Sequence, residues 1–233
     1  MKKVGFIGAY DKANLIMCIA KILTMKNKRV LIIDTTAEQK FRYIVPTLEP
    51  TMTYITTWEE IDVAVGFNKL EHIYDYIGIS EETAEYDVIL MNIDNPNTLE
   101  SMEAEKNDIN CFVTAMDLYS IRKGIEIFHN IRRPMRLAKI IFSRQMNEAD
   151  NEYIDYLAAE AKMQWDEKQI FFPLILDDKY VEMDNQLIYR LGLKSMSSLY
   201  KDSLAQLTSM LFGNEIKEQD ARKIIKALER SGI

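Results

Sequence analysis

The run Val4-Gly-Phe-Ile-Gly-Ala-Tyr-Asp-Lys-Ala-Asn-Leu, passing directly into an apolar stretch over Ile16 to Lys26, constrains the rest of the chain. An apolar strand opens into a short loop headed by Gly8 and closed by Lys12, and a helix begins where the loop ends. This is the layout of a phosphate-binding loop, in which backbone N–H groups and a lysine meet an anion at a helix N-terminus. A second run, Lys28-Arg-Val-Leu-Ile-Ile-Asp34, is continuously apolar up to its carboxylate, the pattern of a strand covered on both faces in a parallel sheet. Further strands are predicted at 86–94, 108–116, 135–142 and 168–172, and helices at 117–131, 148–163, 177–191 and 196–212. Parallel strands need helical crossovers, so this alternation predicts an α/β fold. The sheet should be doubly wound and mostly parallel, flanked by helices, with ligands at the carboxyl ends of the strands.

Taken residue by residue, the loop resembles that of the ParA/MinD family of deviant Walker A P-loop ATPases, K-G-G-V-G-K-[ST]. On that pattern Ile7 stands for the signature Lys, Gly8 and Ala9 for the glycine pair, and Tyr10 for the Val. Asp11 stands for the last Gly, Lys12 for the shared Lys and Ala13 for the Mg²⁺-binding hydroxyl, with Asn14 next. Ile7, Asp11 and Ala13 lack the chemistry their positions need. A carboxylate ~5 Å from phosphate opposes binding by roughly 3 kcal/mol per unit charge at an effective dielectric near 20. Where the family's second strand ends in Asp-x-Asp, this chain has Asp34-Thr35-Thr36. Tyr86-Asp87 leading to Asp94-Asn95-Pro96 resembles the family's Walker B line and its Asp-Thr-Pro. Counted from Asp87, however, Asn92 takes the usual Asp position. Either the strand has two extra residues or the metal-linked carboxylate is lost. Ser143-Arg144 stands where the family has an Asn-Arg-like pair near adenine, so Arg144 is either a base contact or a surface arginine.

The resemblance covers 1–213 apart from 47–80. It implies a nucleotide site built from Gly8, Ala9, Tyr10, Asp11, Lys12, Ala13, Asn14, Asp34, Asp94 and Arg144, with no catalytic residue and no metal ligand assigned. No cofactor is expected outright, and ATP or ADP with Mg²⁺ would bind weakly. The implied function is that of a degenerate relative, a pseudo-ATPase acting as scaffold or localisation factor. Its protein partners would belong to a pilus, secretion, division or partition machine, the pilus-assembly localisation factors being the branch where atypical loops occur. A slow ATP-dependent switch, using Lys12, Asn14 and Asp94, is the alternative. A DNA-partition protein is the third reading.

Net charge of −7 disfavours DNA, yet the charge is unevenly spread. Residues 34–110 carry 17 acidic and 4 basic side chains, whereas 121–144 carry 7 basic and one acidic, so the basic segment is either a paired, solvated face or a site for an anionic partner. Within 47–80, the runs 52–58 and 61–67 fit a hairpin that lacks an Asn-Gly turn, followed by an amphipathic helix over 68–77. Tyr54, Trp58 and Phe67 make this segment a candidate partner surface or an ordinary core edge. Cys18 and Cys111 are expected to be buried and unpaired, and His72 and His129 have no ligand cluster around them. A tail, 214–233, carries Ile216, Ala221, Ile224, Ile225 and Leu228 in one stripe beside Arg222, Lys223, Lys226 and Arg230. Such a helix can lie on an anionic membrane or dock on a protein surface. The tail is expected to be separable from the 1–213 domain. The protein is expected in the cytoplasm, with peripheral membrane contact through 214–233, and as a homodimer.

Overall fold

The computed structural model describes residues 1–47, 51–78, 80, 85–145 and 148–231. Eight strands form one sheet: β1 (Lys2–Ile7), β2 (Val30–Asp34), β3 (Tyr54–Trp58), β4 (Ile61–Val65), β5 (Val88–Ile93), β6 (Ile109–Ala115), β7 (Met135–Ser143) and β8 (Met163–Pro173). Their order is β3-β4-β2-β5-β1-β6-β7-β8, and every pairing is parallel except that of β3 with β4. The helices are α1 (Ala13–Thr24), α2 (Phe41–Ile44), α3 (Leu70–Ile77), α4 (Pro96–Ser101), α5 (Leu118–Glu126), α6 (Glu148–Ala158), α7 (Leu176–Leu187), α8 (Ser198–Phe212) and α9 (Glu218–Ser231).

The period-2 alternation of strand side chains divides the interior in two. From β5, Val88 and Leu90 enter a core shared with α1, α8 and α9. Its other face sends Ile89, Met91 and Ile93 against Ile73 of α3, Leu99 of α4, Ile121 and Ile125 of α5 and Ile154 of α6. All five residues of β2 are buried, as a doubly covered strand requires. The α/β, doubly wound, mostly parallel architecture is the expected one.

The details differ where tertiary contacts override local pattern. β3 and β4 are joined by Glu59 and Glu60, both at positive φ (52° and 66°), the geometry of a two-residue primed turn without its usual Asn-Gly. Lys21 holds that turn, its ammonium bonded to Glu59 O (3.1 Å) and Glu59 Oε2 (2.7 Å). Helix α5 stops at Glu126 rather than Ile131 because Ile127 and Phe128 turn into the core. Helix α6 stops at Ala158, since Met163 already pairs with Met135 and β8 runs far longer than 168–172. Helix α7 stops at Leu187, just before Tyr189 adopts φ 48°.

Two segments with surface-like patterns turn inward. Tyr54 and Phe67 are buried and Trp58 packs against the core, so of the two readings of this aromatic group the structure bears out the core edge. The tail is docked on the domain: Ile216, Ala221, Ile225 and Leu228 are all buried in the core shared with α1 and α8. Ion pairs of Arg222 with Asp202, Lys201 with Glu229 and Lys28 with Glu215 fasten it at its rim. The apolar stripe that membrane contact through 214–233 would use therefore faces inward.

Candidate functional site

The loop leaves β1 between β5 and β6. Gly8 N–H donates to Ile93 O (3.0 Å), and a Cβ at residue 8, where φ is +150°, would lie 2.1 Å from Val113 O. Only glycine passes that point. Ala9 follows beside α5, its N–H nitrogen 3.6 Å from where a Cβ on Gly124 would stand. Tyr10 turns away, its ring 4.7 Å from that of Phe142, at the head of a row continuing through Phe172 (5.0 Å) to Tyr200 (5.2 Å). Burial pushes its hydroxyl pKa up, and the Lys179 ammonium lies 5.8 Å over its ring.

Asp11 folds back on the helix it precedes. Ala13 N–H donates to its Oδ1 (3.1 Å), and Lys40 pairs with its Oδ2. Burial raises this carboxyl, but Lys40 and the Ala13 N–H outweigh it and hold the group below its usual range. The carboxylate thus lies at the N-terminus of α1, where the helix dipole and free N–H groups favour an anion. The sequence argument took Asp11 as an unpaired repulsive charge. Lys40 offsets that charge, so the obstruction is chiefly that the anion position is already taken.

Lys12 is only 3% exposed and donates from Nζ to Gly8 O (2.8 Å). Burial lowers its pKa to about 8, against the pull of Asp94, Asp34 and Asp11. Ala13 opens α1 without a hydroxyl, and Asn14 Nδ2 donates to Tyr200 Oη (3.3 Å).

The two predicted carboxylates at the carboxyl ends of β2 and β5 are both engaged by the loop after β2. Asp34, fully buried, accepts from Thr36 Oγ1 (2.7 Å), Thr36 N (3.2 Å), Phe41 N (3.0 Å) and Asn92 Nδ2 (3.2 Å). Burial nonetheless raises its pKa. Asp94 accepts from Ala37 N through both oxygens (3.1 and 3.0 Å) and from Asn95 Nδ2 (3.0 Å). In the continuous β5 ladder Asn92 lies opposite both Phe6 and Asp34, with no extra residues. The position open to a metal-linked carboxylate is therefore Asn92, and Asp94 falls beyond the strand. Asn92 Oδ1 is buried without a hydrogen-bond partner among the described residues.

Arg144, exposed at the end of β7, lines a cavity of about 290 Å³ with Phe142, Pro173, Lys179, Glu182 and Tyr200. The structure thus gathers all ten predicted residues along one edge of the sheet, but Tyr10 and Asn14 contact the aromatic row instead of pointing at a common ligand. Sequence reasoning missed Lys40, Lys179 and Glu182. Lys40 had a signal, being one of 4 basic residues among 17 acids over 34–110. Lys179 and Glu182 (2.7 Å apart) had none, because α7 turns polar residues inward.

Mg²⁺ demands several oxygen ligands. Ala13 offers none, an amide replaces the strand carboxylate, and among the described residues no group of three or more His, Cys, Asp or Glu could hold a metal ion. The residues do not fit a Mg²⁺–nucleotide centre. The basic segment is likewise mostly engaged: Lys123 pairs with Glu126 (2.7 Å), Arg132 with Glu100 (2.7 Å), Arg136 with Asp166 (3.2 Å), and buried Lys139 with Asp155. Among the described residues no helix is long and apolar enough to cross a membrane.

No family model matches the sequence, and none of the curated proteins is similar to it. Solved structures do match. A protein assigned to plasmid partition from Borrelia burgdorferi B31, bound to AMPPNP, is 13% identical, with 92% of this chain and 99% of that one covered at a TM-score of 0.57. A ParA family ATPase from Chlorobium tepidum TLS is 14% identical, covering 97% of each chain at 0.52. The MinD cell division protein of Aquifex aeolicus is 12% identical, covering 100% of this chain and 98% of that one, also at 0.52. The chain has the fold of these P-loop ATPases.

Proposed function

We propose, from the premise of a ParA/MinD fold, that this protein is a degenerate positioning factor. It would act as a cytoplasmic scaffold for an assembly machine such as a pilus, secretion, division or partition apparatus, without an ATPase cycle. One observation carries the reading: the groups that would meet a nucleotide's phosphates and metal already have partners within the chain. Asp11 lies on the α1 N-terminus, Lys12 on Gly8 O, and Asp34 and Asp94 on the loop after β2. Phosphoryl transfer depends on such groups being aimed at the phosphates and metal.

A slow ATP-dependent switch is the second reading, favoured by Asn92 Oδ1, which has no hydrogen-bond partner among the described residues, and by the buried Lys12, which donates to a single carbonyl among them. A DNA-partition role has less support, since four of the seven basic residues over 121–144 are ion-paired.

Titration calorimetry with Mg²⁺-ATP, beside a phosphate-release assay, separates the readings. The wild type should bind weakly and release no phosphate above background. Asp11→Gly frees the Ala13 N–H and Lys40, and should tighten ATP binding by about 1–3 kcal/mol, 5- to 150-fold, without restoring hydrolysis. Tight binding or turnover by the wild type would establish the switch instead.

A further inference from the structure

The cavity beside Arg144 measures about 290 Å³, the lower end of the roughly 300–1,000 Å³ range of small-ligand sites. Phe142 and Lys179 both line it, and both close on Tyr10: the Tyr10 and Phe142 rings are 4.7 Å apart, and the Lys179 ammonium lies 5.8 Å from the Tyr10 centroid. The Tyr10 ring is thus packed between the loop it belongs to and two walls of the cavity. A nucleotide would need the anion position at the α1 N-terminus for its phosphates, and Asp11 holds that position.

The polar groups of the cavity are spent unequally. Asp178, 3% exposed, accepts from Ser197 N (2.6 Å) and Ser197 Oγ (2.8 Å). Glu182, 8% exposed, accepts from Lys179 Nζ (2.7 Å), and Tyr200 Oη accepts from Asn14 Nδ2 (3.3 Å). Arg144 has neither an ion-pair nor a hydrogen-bond partner among the described residues. Helix α7 begins on the same wall, and its N-cap, Ile175, gives its first N–H groups no side-chain acceptor. What meets an entering molecule is therefore donors in search of an acceptor, and a charged acceptor bonds to a guanidinium about twice as strongly as a neutral one. The other walls, Phe142, Pro173, Leu174, Leu176 and the Tyr200 ring, are apolar or aromatic. They suit an apolar body with a flat face and leave no second polar group to be matched.

We propose that this cavity is a site for a small aromatic carboxylate, its ring held by Phe142 and Tyr200 and its carboxylate by Arg144 and the first N–H groups of α7. This goes beyond the function proposed above, whose own test is ATP calorimetry.

The probe is indole-3-acetate, titrated into the full chain and followed by saturation-transfer NMR, with indole-3-acetamide as its uncharged isostere. The acetate should bind with a dissociation constant on the order of 0.1–1 mM, as about thirteen non-hydrogen atoms allow, and the amide about 10-fold more weakly or worse. Arg144→Ala should weaken the acetate by about 10-fold or more and leave the amide unchanged, and Arg144→Lys should recover part of the loss. Leu176→Glu, which sets a carboxylate at the mouth, should weaken the acetate similarly. Both side chains are exposed, so circular dichroism and melting temperature should not change. Adenosine at equal concentration should not displace the acetate. No binding by the wild type, equal binding of acetate and amide, binding indifferent to Arg144→Ala, or displacement by adenosine would each overturn the proposal. Tight Mg²⁺-ATP binding that leaves the acetate in place would sink the scaffold reading alone.

Discussion

Replacing Lys12 by Met tests whether the loop stands closed at a cost to the fold. Holding an ammonium at about 8 against an ordinary 10.5 means that the folded state disfavours the charge by roughly 3 kcal/mol. Below pH 8 the folded and unfolded chains both carry the proton and the cost is complete. Between pH 8 and 10.5 the unfolded chain holds more protons than the folded one, so the cost falls as pH rises. Methionine has a similar length and no charge. It forfeits the bond to Gly8 O, about 1 kcal/mol net, the attraction to Asp94 and Asp34 being already contained in the lowered pKa. The variant should therefore be more stable than wild type by about 1–2 kcal/mol at pH 7, and the gain should vanish toward pH 10. Urea unfolding followed by circular dichroism, on both proteins at several pH values, measures it. A variant less stable at pH 7 by an amount independent of pH would show that Lys12 is held by favourable interactions and that the argument from burial is wrong.

Two more outcomes follow from the same geometry. Asn92→Asp sets a second carboxylate where an amide now donates to Asp34 (3.2 Å), and should cost about 2–4 kcal/mol at pH 7. Because the shared proton raises the pair's pKa, that loss should shrink toward pH 4, and a loss independent of pH would refute it. Truncation after Gly213 removes Ile216, Ile225 and Leu228 from the core, at ~1.5–3 kcal/mol each, against a total stability of about 5–15 kcal/mol. The shortened chain should show no cooperative thermal transition; a sharp one near that of the intact protein would restore the separable tail.

What could be read in the sequence was whatever local pattern alone decides. The β-branched run Val30 to Asp34 admits few conformations other than a buried strand, and Gly8 announced itself by its place after one. Asp117 was recognisable as the cap of α5 and accepts from Ser120 N (2.8 Å). Asp11 shows where this ends: its charge was visible, but Lys40, 29 residues on, neutralises it only once β2 brings the two together. Asp94 likewise looked like a metal carboxylate because its partner, Ala37 N–H, has no signature in the sequence. The stripe on α9 was legible as amphipathic, yet periodicity says that a face is covered and not what covers it. In α7 the apolar face points outward, which the sequence does not reveal, because a moment pointing outward has the same period as one pointing inward.

The docking of α9 also bears on how the chain folds. Ile216, Ala221, Ile225 and Leu228 close a core whose other wall is α1, the first helix made, and Lys28 pairs with Glu215 (2.5 Å) across the same junction. Contacts so distant in sequence form late, after the loop-closure entropy of nearly the whole chain has been overcome. Until Leu228 has been synthesised, α1 has an uncovered apolar flank, and the nascent chain is at its most aggregation-prone in that interval.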